Sequence, residues 1–104
     1  MITQERMEAA LNYLAESDDD FAVAKADLLR AEIVCKRTRA RLYLETTGSV
    51  DERKGKVECF PAAIEVDELL VQATIAFEKL KAQRQRAEIV IDVWRSINAS
   101  MRRS

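Results

Sequence analysis

The chain has no histidine, one proline, two glycines, two cysteines and one tryptophan in 104 residues. Without histidine there is no Ser–His or Cys–His nucleophile system. Cys35 and Cys59 form no Cys-x-x-Cys pair, so a four-ligand structural zinc site within one chain is not expected. Two glycines cannot build a glycine-rich phosphate loop. These absences predict a protein that is not an enzyme and holds no metal or cofactor. No apolar run approaches the ~20 residues needed to span a bilayer, so no membrane association is expected. Acids begin at Glu5 and no signal-type apolar segment follows. With two isolated cysteines read as reduced thiols, the expected location is the cytoplasm.

The charge is balanced, with 17 basic and 18 acidic residues. No global field draws the chain to nucleic acid or to an anionic membrane, so any such binding must come from local patches.

What the chain does have is helical periodicity. Few glycines and prolines among many Ala, Glu, Lys, Arg and Leu residues favour long helices. In the second half, Val66, Leu70, Ala73, Phe77, Leu80, Arg84, Ala87, Ile91, Trp94, Asn98 and Met101 alternate in steps of four and three. That spacing holds one stripe on one side of a helix, as in a coiled-coil seam. Leu70, Phe77, Leu80, Arg84, Ile91 and Trp94 are its principal packing positions. In the first half, Leu14, Phe21, Leu28, Cys35 and Leu42 recur every seven residues. Ala10, Ser17, Ala24, Ala31 and Thr38 form a small-residue column beside them, which lets a partner helix approach closely. Ala15, Ala22, Leu29 and Tyr43 are read as widening this stripe.

The predicted elements are a helix over about 3–46, a short helix over about 50–58 and a long helix over about 61–100, within a single domain 1–104. Gly48 suits the left-handed position after a helix end. Ser49 with Glu52 makes a capping box, and Pro61 fits a first helical turn. Two readings stand for Ser17-Asp18-Asp19-Asp20. The segment either caps a fresh helix or forms a solvated acidic band on a continuous one. Basic residues 36–41 come near acids 65–68 if the halves fold back. The predicted fold is therefore all-α: an elongated, coiled-coil-like antiparallel helical hairpin with a short helix at the bend. Leu69, Ala76, Val90 and Ile97, with Ile75, Ile89 and Val93, leave apolar surface beyond the seam. Self-association as a dimer, forming a four-helix bundle, would cover it. A groove for another protein's helix is the alternative.

Lys36, Arg37, Arg39 and Arg41 are candidate phosphate contacts, although a solvated helix end paired with acids is preferred. Arg95, Arg102 and Arg103 follow the last acid, Asp92, and are candidate contacts for single-stranded DNA or a protein partner. Trp94 beside these arginines could stack on a base, but it lies on the seam and is read as core in preference. Arg84 interrupts the seam, either snorkelling outward or reaching a carboxylate on the facing helix. Phe60 is read as a plug over the helix ends in preference to an exposed partner anchor.

Three stretches carry a resemblance. The ending Ala87-Glu88-Ile89-Val90-Ile91-Asp92-Val93-Trp94-Arg95-Ser96-Ile97-Asn98-Ala99 resembles the C-terminus of short helical proteins of tailed bacteriophages and prophages. Thr47-Gly48-Ser49-Val50-Asp51-Glu52-Arg53 resembles their mid-chain turn, and Leu11-Asn12-Tyr13-Leu14-Ala15-Glu16 their start. The resemblance implies a non-enzymatic accessory to phage DNA recombination or replication in a bacterial host cell. Its partners would be DNA, a recombination protein or a single-strand-binding protein. The alternative is a structural coiled-coil module that binds or inhibits a protein without touching DNA.

Overall fold

The computed structural model describes residues 2–103, with the Arg103 side chain outside the description. It contains three helices, α1 (Gln4–Glu45), α2 (Val50–Cys59) and α3 (Pro61–Arg103), and no strand among the described residues. The chain is an all-α helical hairpin.

Local chemistry sets each boundary. The Thr3 hydroxyl accepts the Arg6 N–H at 3.2 Å and opens α1. Gly48, at φ 122°, takes the left-handed conformation after α1 ends. A Cβ at this position would lie 2.6 Å from the Glu52 carboxylate. Ser49 then caps α2, its hydroxyl accepting the Glu52 N–H at 3.3 Å. Proline at 61 disfavours helical backbone at the residue before it, and Phe60 is extended (φ −68°, ψ 136°). Phe60 links the helices. Its N–H donates to the Val57 carbonyl, and its own carbonyl accepts from the N–H groups of Ala63 and Ile64.

The packing divides into two compact units. One joins α1 as far as Val23 to α3 from Glu78 onward. Its core is Met7, Ala10, Ala87 and Ile91, with Tyr13, Leu14, Val90 and Trp94 against it. Met7 and Ala10 cluster with Ala87 and Ile91, while the later Ser17 meets the earlier Arg84, so the segments run antiparallel. The other unit is Ala24–Phe77, which contains α2. Its core is Leu42, Val57 and Ala63, with Tyr43 and Ala62 against it. Cys35 meets Val66 while Leu42 meets Ala63, again antiparallel.

Helix α1 passes through Ser17-Asp18-Asp19-Asp20 without a break. Ser17 does not cap a new helix. It is buried on the seam, where its hydroxyl donates to the Leu14 carbonyl at 3.4 Å and accepts from Arg84. Tertiary contacts thus outweigh a local capping signal.

Phe60 is not the plug. It is 38% exposed and lines a shallow concavity with Asp51, Glu52, Gly55, Lys56 and Cys59. Val57, at 3% exposure, and Ala63, at 0%, fill the interior of the bend with Leu42. Ala15, Ala22 and Leu29 do not widen the seam either, because all three are exposed.

Candidate functional site

Three surfaces present themselves: a polar cluster on the seam, an ion-pair cluster beside α2, and the apolar residues left outside the seam.

Arg84 organises the first. Its Nη1 donates to the Leu14 carbonyl at 2.9 Å and to the Ser17 hydroxyl at 2.7 Å. Its Nη2 donates to Asp18 at 2.6 Å, and the guanidinium stands 5.0 Å from the Phe21 ring centre. The side chain is 17% exposed. Arg84 therefore reaches the facing helix rather than snorkelling into solvent. Nearby, the Tyr13 hydroxyl donates to the Gln83 side-chain carbonyl at 2.9 Å.

Arg39 organises the second. It holds Glu58 by two parallel bonds, Nε to Oε1 at 2.9 Å and Nη2 to Oε2 at 3.0 Å. The same Nη2 donates to Asp67 at 2.6 Å. Hydrogen bonding from Arg39 holds both carboxyls below their ordinary values. A carboxylate with a lowered folded-state pKa contributes stability that is complete above its ordinary value. That stability is lost as pH falls through the lowered one. Below about pH 4, the melting temperature of the native chain should therefore drop more steeply than that of Arg39→Gln. Thermal melts monitored by circular dichroism between about pH 7 and pH 3 check this.

The candidate contacts fall in different environments. Arg39 engages Glu58 and Asp67, as its proximity to acids 65–68 predicted, and this commits its guanidinium within the chain. Lys36, Arg37 and Arg41 are exposed. Arg95 is exposed beside a shallow groove of about 370 Å³ that also contains Glu88 and Asp92, with Leu11, Leu14 and Ile91. Arg102 is exposed, and the Arg103 side chain lies outside the described residues. Among the seam positions, Ile91 is buried, while Leu70, Phe77, Leu80, Arg84 and Trp94 are half-buried. Trp94 packs against the Met7 cluster.

Sequence reasoning missed Met7, Val57 and Ala63 as core residues. A signal existed for Val57, since α2 offers only Val50, Val57 and Cys59 as apolar side chains. The third surface is the apolar one. Ile64, Val71 and Ile75, at steps of seven and four, are exposed on α3, and Leu29 and Ile33 are exposed on α1.

Among the described residues no group of three or more acidic, cysteine or histidine side chains is placed to hold a metal ion. No helix among them is long and apolar enough to cross a membrane. No protein-family model matches the chain, and no curated protein or solved structure shows significant similarity to it.

Proposed function

We propose that the chain is a non-enzymatic helical interaction module that binds a protein partner by docking a helix on its exposed apolar surface. The setting is the one its resemblance implies, phage DNA recombination or replication. A recombination or single-strand-binding protein is the expected class of partner. The observation that carries the reading is Ile64, Val71 and Ile75, large side chains aligned on α3 yet left in water. Burying one such side chain stabilises a complex by about 1.5–3 kcal/mol, so three supply a usable docking energy.

A second reading is direct contact with single-stranded DNA through Arg102, Arg103 and the exposed Lys36, Arg37 and Arg41. It is favoured by the run of arginines after Asp92 with no intervening acid. Affinity capture from phage-infected cells, with nuclease treatment, separates the two. Under the first reading a recombination-class protein is retained after nuclease and lost with Val71→Lys plus Ile75→Lys. Arg102→Ala plus Arg103→Ala leaves it bound. Loss on nuclease treatment, together with a salt-dependent gel shift abolished by the two arginine changes, would establish the DNA reading instead.

A further inference from the structure

Within the unit Ala24–Phe77, α1 and α3 each turn a stripe away from the other. Cys35 and Leu42 face α3, where Cys35 meets Val66 and Leu42 packs with Ala63. A residue two positions along a helix is rotated by about 200°. Ile33 and Arg37 stand either side of Cys35, and Ala40 and Leu44 either side of Leu42, so these four lie on the outer side of α1. On α3, Ile64 and Glu68 flank the half-buried Val66 in the same way, and Val71 and Ile75 flank Ala73. All of these outer residues are exposed, Leu44 at 79% and Ile64 at 58%.

The two outer stripes match each other. Both advance by steps of four, three and four. Laid parallel, they set Ile33 against Ile64, Arg37 against Glu68, Ala40 against Val71 and Leu44 against Ile75. The single base of one stripe then meets the single acid of the other. Laid antiparallel, they set Arg37 on Val71 and Glu68 on Ala40, which leaves both charges without a partner in an apolar contact. The surroundings repeat the complementarity. Residues 36–44 hold four bases and no acid, whereas 61–77 hold three acids and no base. Arg39 and Asp67 already hold each other, which leaves Lys36, Arg37 and Arg41 to face Glu65 and Glu68. Among the described residues neither Arg37 nor Glu68 forms an ion pair. Glu68 accepts a 3.5 Å hydrogen bond from Gln72 on its own helix.

In this unit α1 and α3 of one chain run antiparallel and meet through their other sides. The parallel layers can therefore form only between two copies.

We propose that the outer face of α1 in one copy docks in parallel on the α3 face of Ile64, Val71 and Ile75 in a second copy, with Arg37 paired to Glu68. The inference rests on the reading of that α3 face as a helix-docking surface, and it names the occupant when no other partner is bound. The contact is heterologous. Each pair keeps one free α1 face and one free α3 face, so copies add head to tail.

Sedimentation velocity of the full chain over about 1–100 µM tests it. The expected result is a weight-average sedimentation coefficient that rises with concentration past that of a dimer. Arg37→Glu and Glu68→Arg each place like charges in one layer and weaken association at least about tenfold. The two changes in one chain restore it to within about threefold of the native affinity, because the pair is only exchanged. Two capped variants test the head-to-tail geometry. Ile33→Lys plus Leu44→Lys removes the α1 face, and Val71→Lys plus Ile75→Lys removes the α3 face. Each alone is monomeric, whereas their equimolar mixture forms a dimer that does not grow. All of these positions are exposed, and unchanged helicity by circular dichroism confirms that folding is intact. A native chain that stays monomeric at the highest concentration overturns the proposal. So does association that the single charge changes leave unaltered, or a mixture of capped variants that stays monomeric. The docking reading fails separately. Ile33→Lys plus Leu44→Lys leaves the α3 face intact and unoccupied, so affinity capture with that variant should still retain the recombination-class protein, whatever the sedimentation shows.

Discussion

Replacing Arg84 with alanine is expected to lower the stability of the fold by about 2 kcal/mol. The ion pair with Asp18 is a minor part of this. Asp18 is well exposed, and such pairs contribute about 1 kcal/mol or less. Asp18→Ala should therefore cost under about 0.5 kcal/mol. The larger part lies on the seam. The Leu14 carbonyl and the buried Ser17 hydroxyl both lose a charged donor, and the arginine stem leaves a gap beside Phe21. Urea denaturation of the three proteins measures the difference. The pair Arg84→Leu and Ser17→Ala replaces the polar cluster with an apolar seam layer, so most of the stability should return. Register discrimination should not. With this polar layer gone, a slip of one heptad no longer sets a charged guanidinium against apolar residues, and sedimentation should show mixed species. A variant that is both stable and homogeneous would show that Arg84 has no role in specifying the pairing.

The sequence allowed much of this fold to be read because its signals are local or periodic. Steps of three and four fix which side of a helix is buried, and Gly48, Ser49 and Pro61 act on their own neighbours. The unbroken α1 was not legible. Ser17-Asp18-Asp19-Asp20 is a capping signal on its own terms, and only the facing Arg84 turns Ser17 into a seam residue. Phe60 misled for a related reason. Hydrophobicity alone nominates it for the interior, but the extended backbone before Pro61 leaves it half in solvent, and the smaller Val57 and Ala63 fill the bend. The candidate site was least legible. Lys36, Arg37, Arg39 and Arg41 look alike in sequence, yet Arg39 alone meets two carboxylates, because Glu58 and Asp67 lie on different helices. Likewise, Ala15, Ala22 and Leu29 share a column that is apolar whether or not a neighbour covers it.

Changing Val57 to aspartate should release α2 altogether. A ten-residue helix with a glycine at position 55 is not stable in water on its own. Its attachments are few. Val57 is its one buried residue, set against Leu42 and Ala63. Arg53 donates to the Tyr43 carbonyl at 2.7 Å with its guanidinium 4.1 Å from the Tyr43 ring centre, and Lys56 donates to the Thr47 carbonyl at 2.8 Å. Arg39 adds its hold on Glu58. The polar bonds sit near solvent and each contributes about 1 kcal/mol, so they cannot offset a carboxylate placed in an apolar pocket. Val57→Ala should cost about 2 kcal/mol and leave α2 formed. Val57→Asp should instead lose the helical signal of α2 at neutral pH and recover part of it in acid, as protonation removes the buried charge. Amide hydrogen exchange reads this locally: protection should vanish over Val50–Cys59 first, because that element opens without unfolding the Met7, Ala10, Ala87 and Ile91 core. Equal loss of protection along the whole chain would mean that α2 is bound into the global folding unit rather than held by Val57.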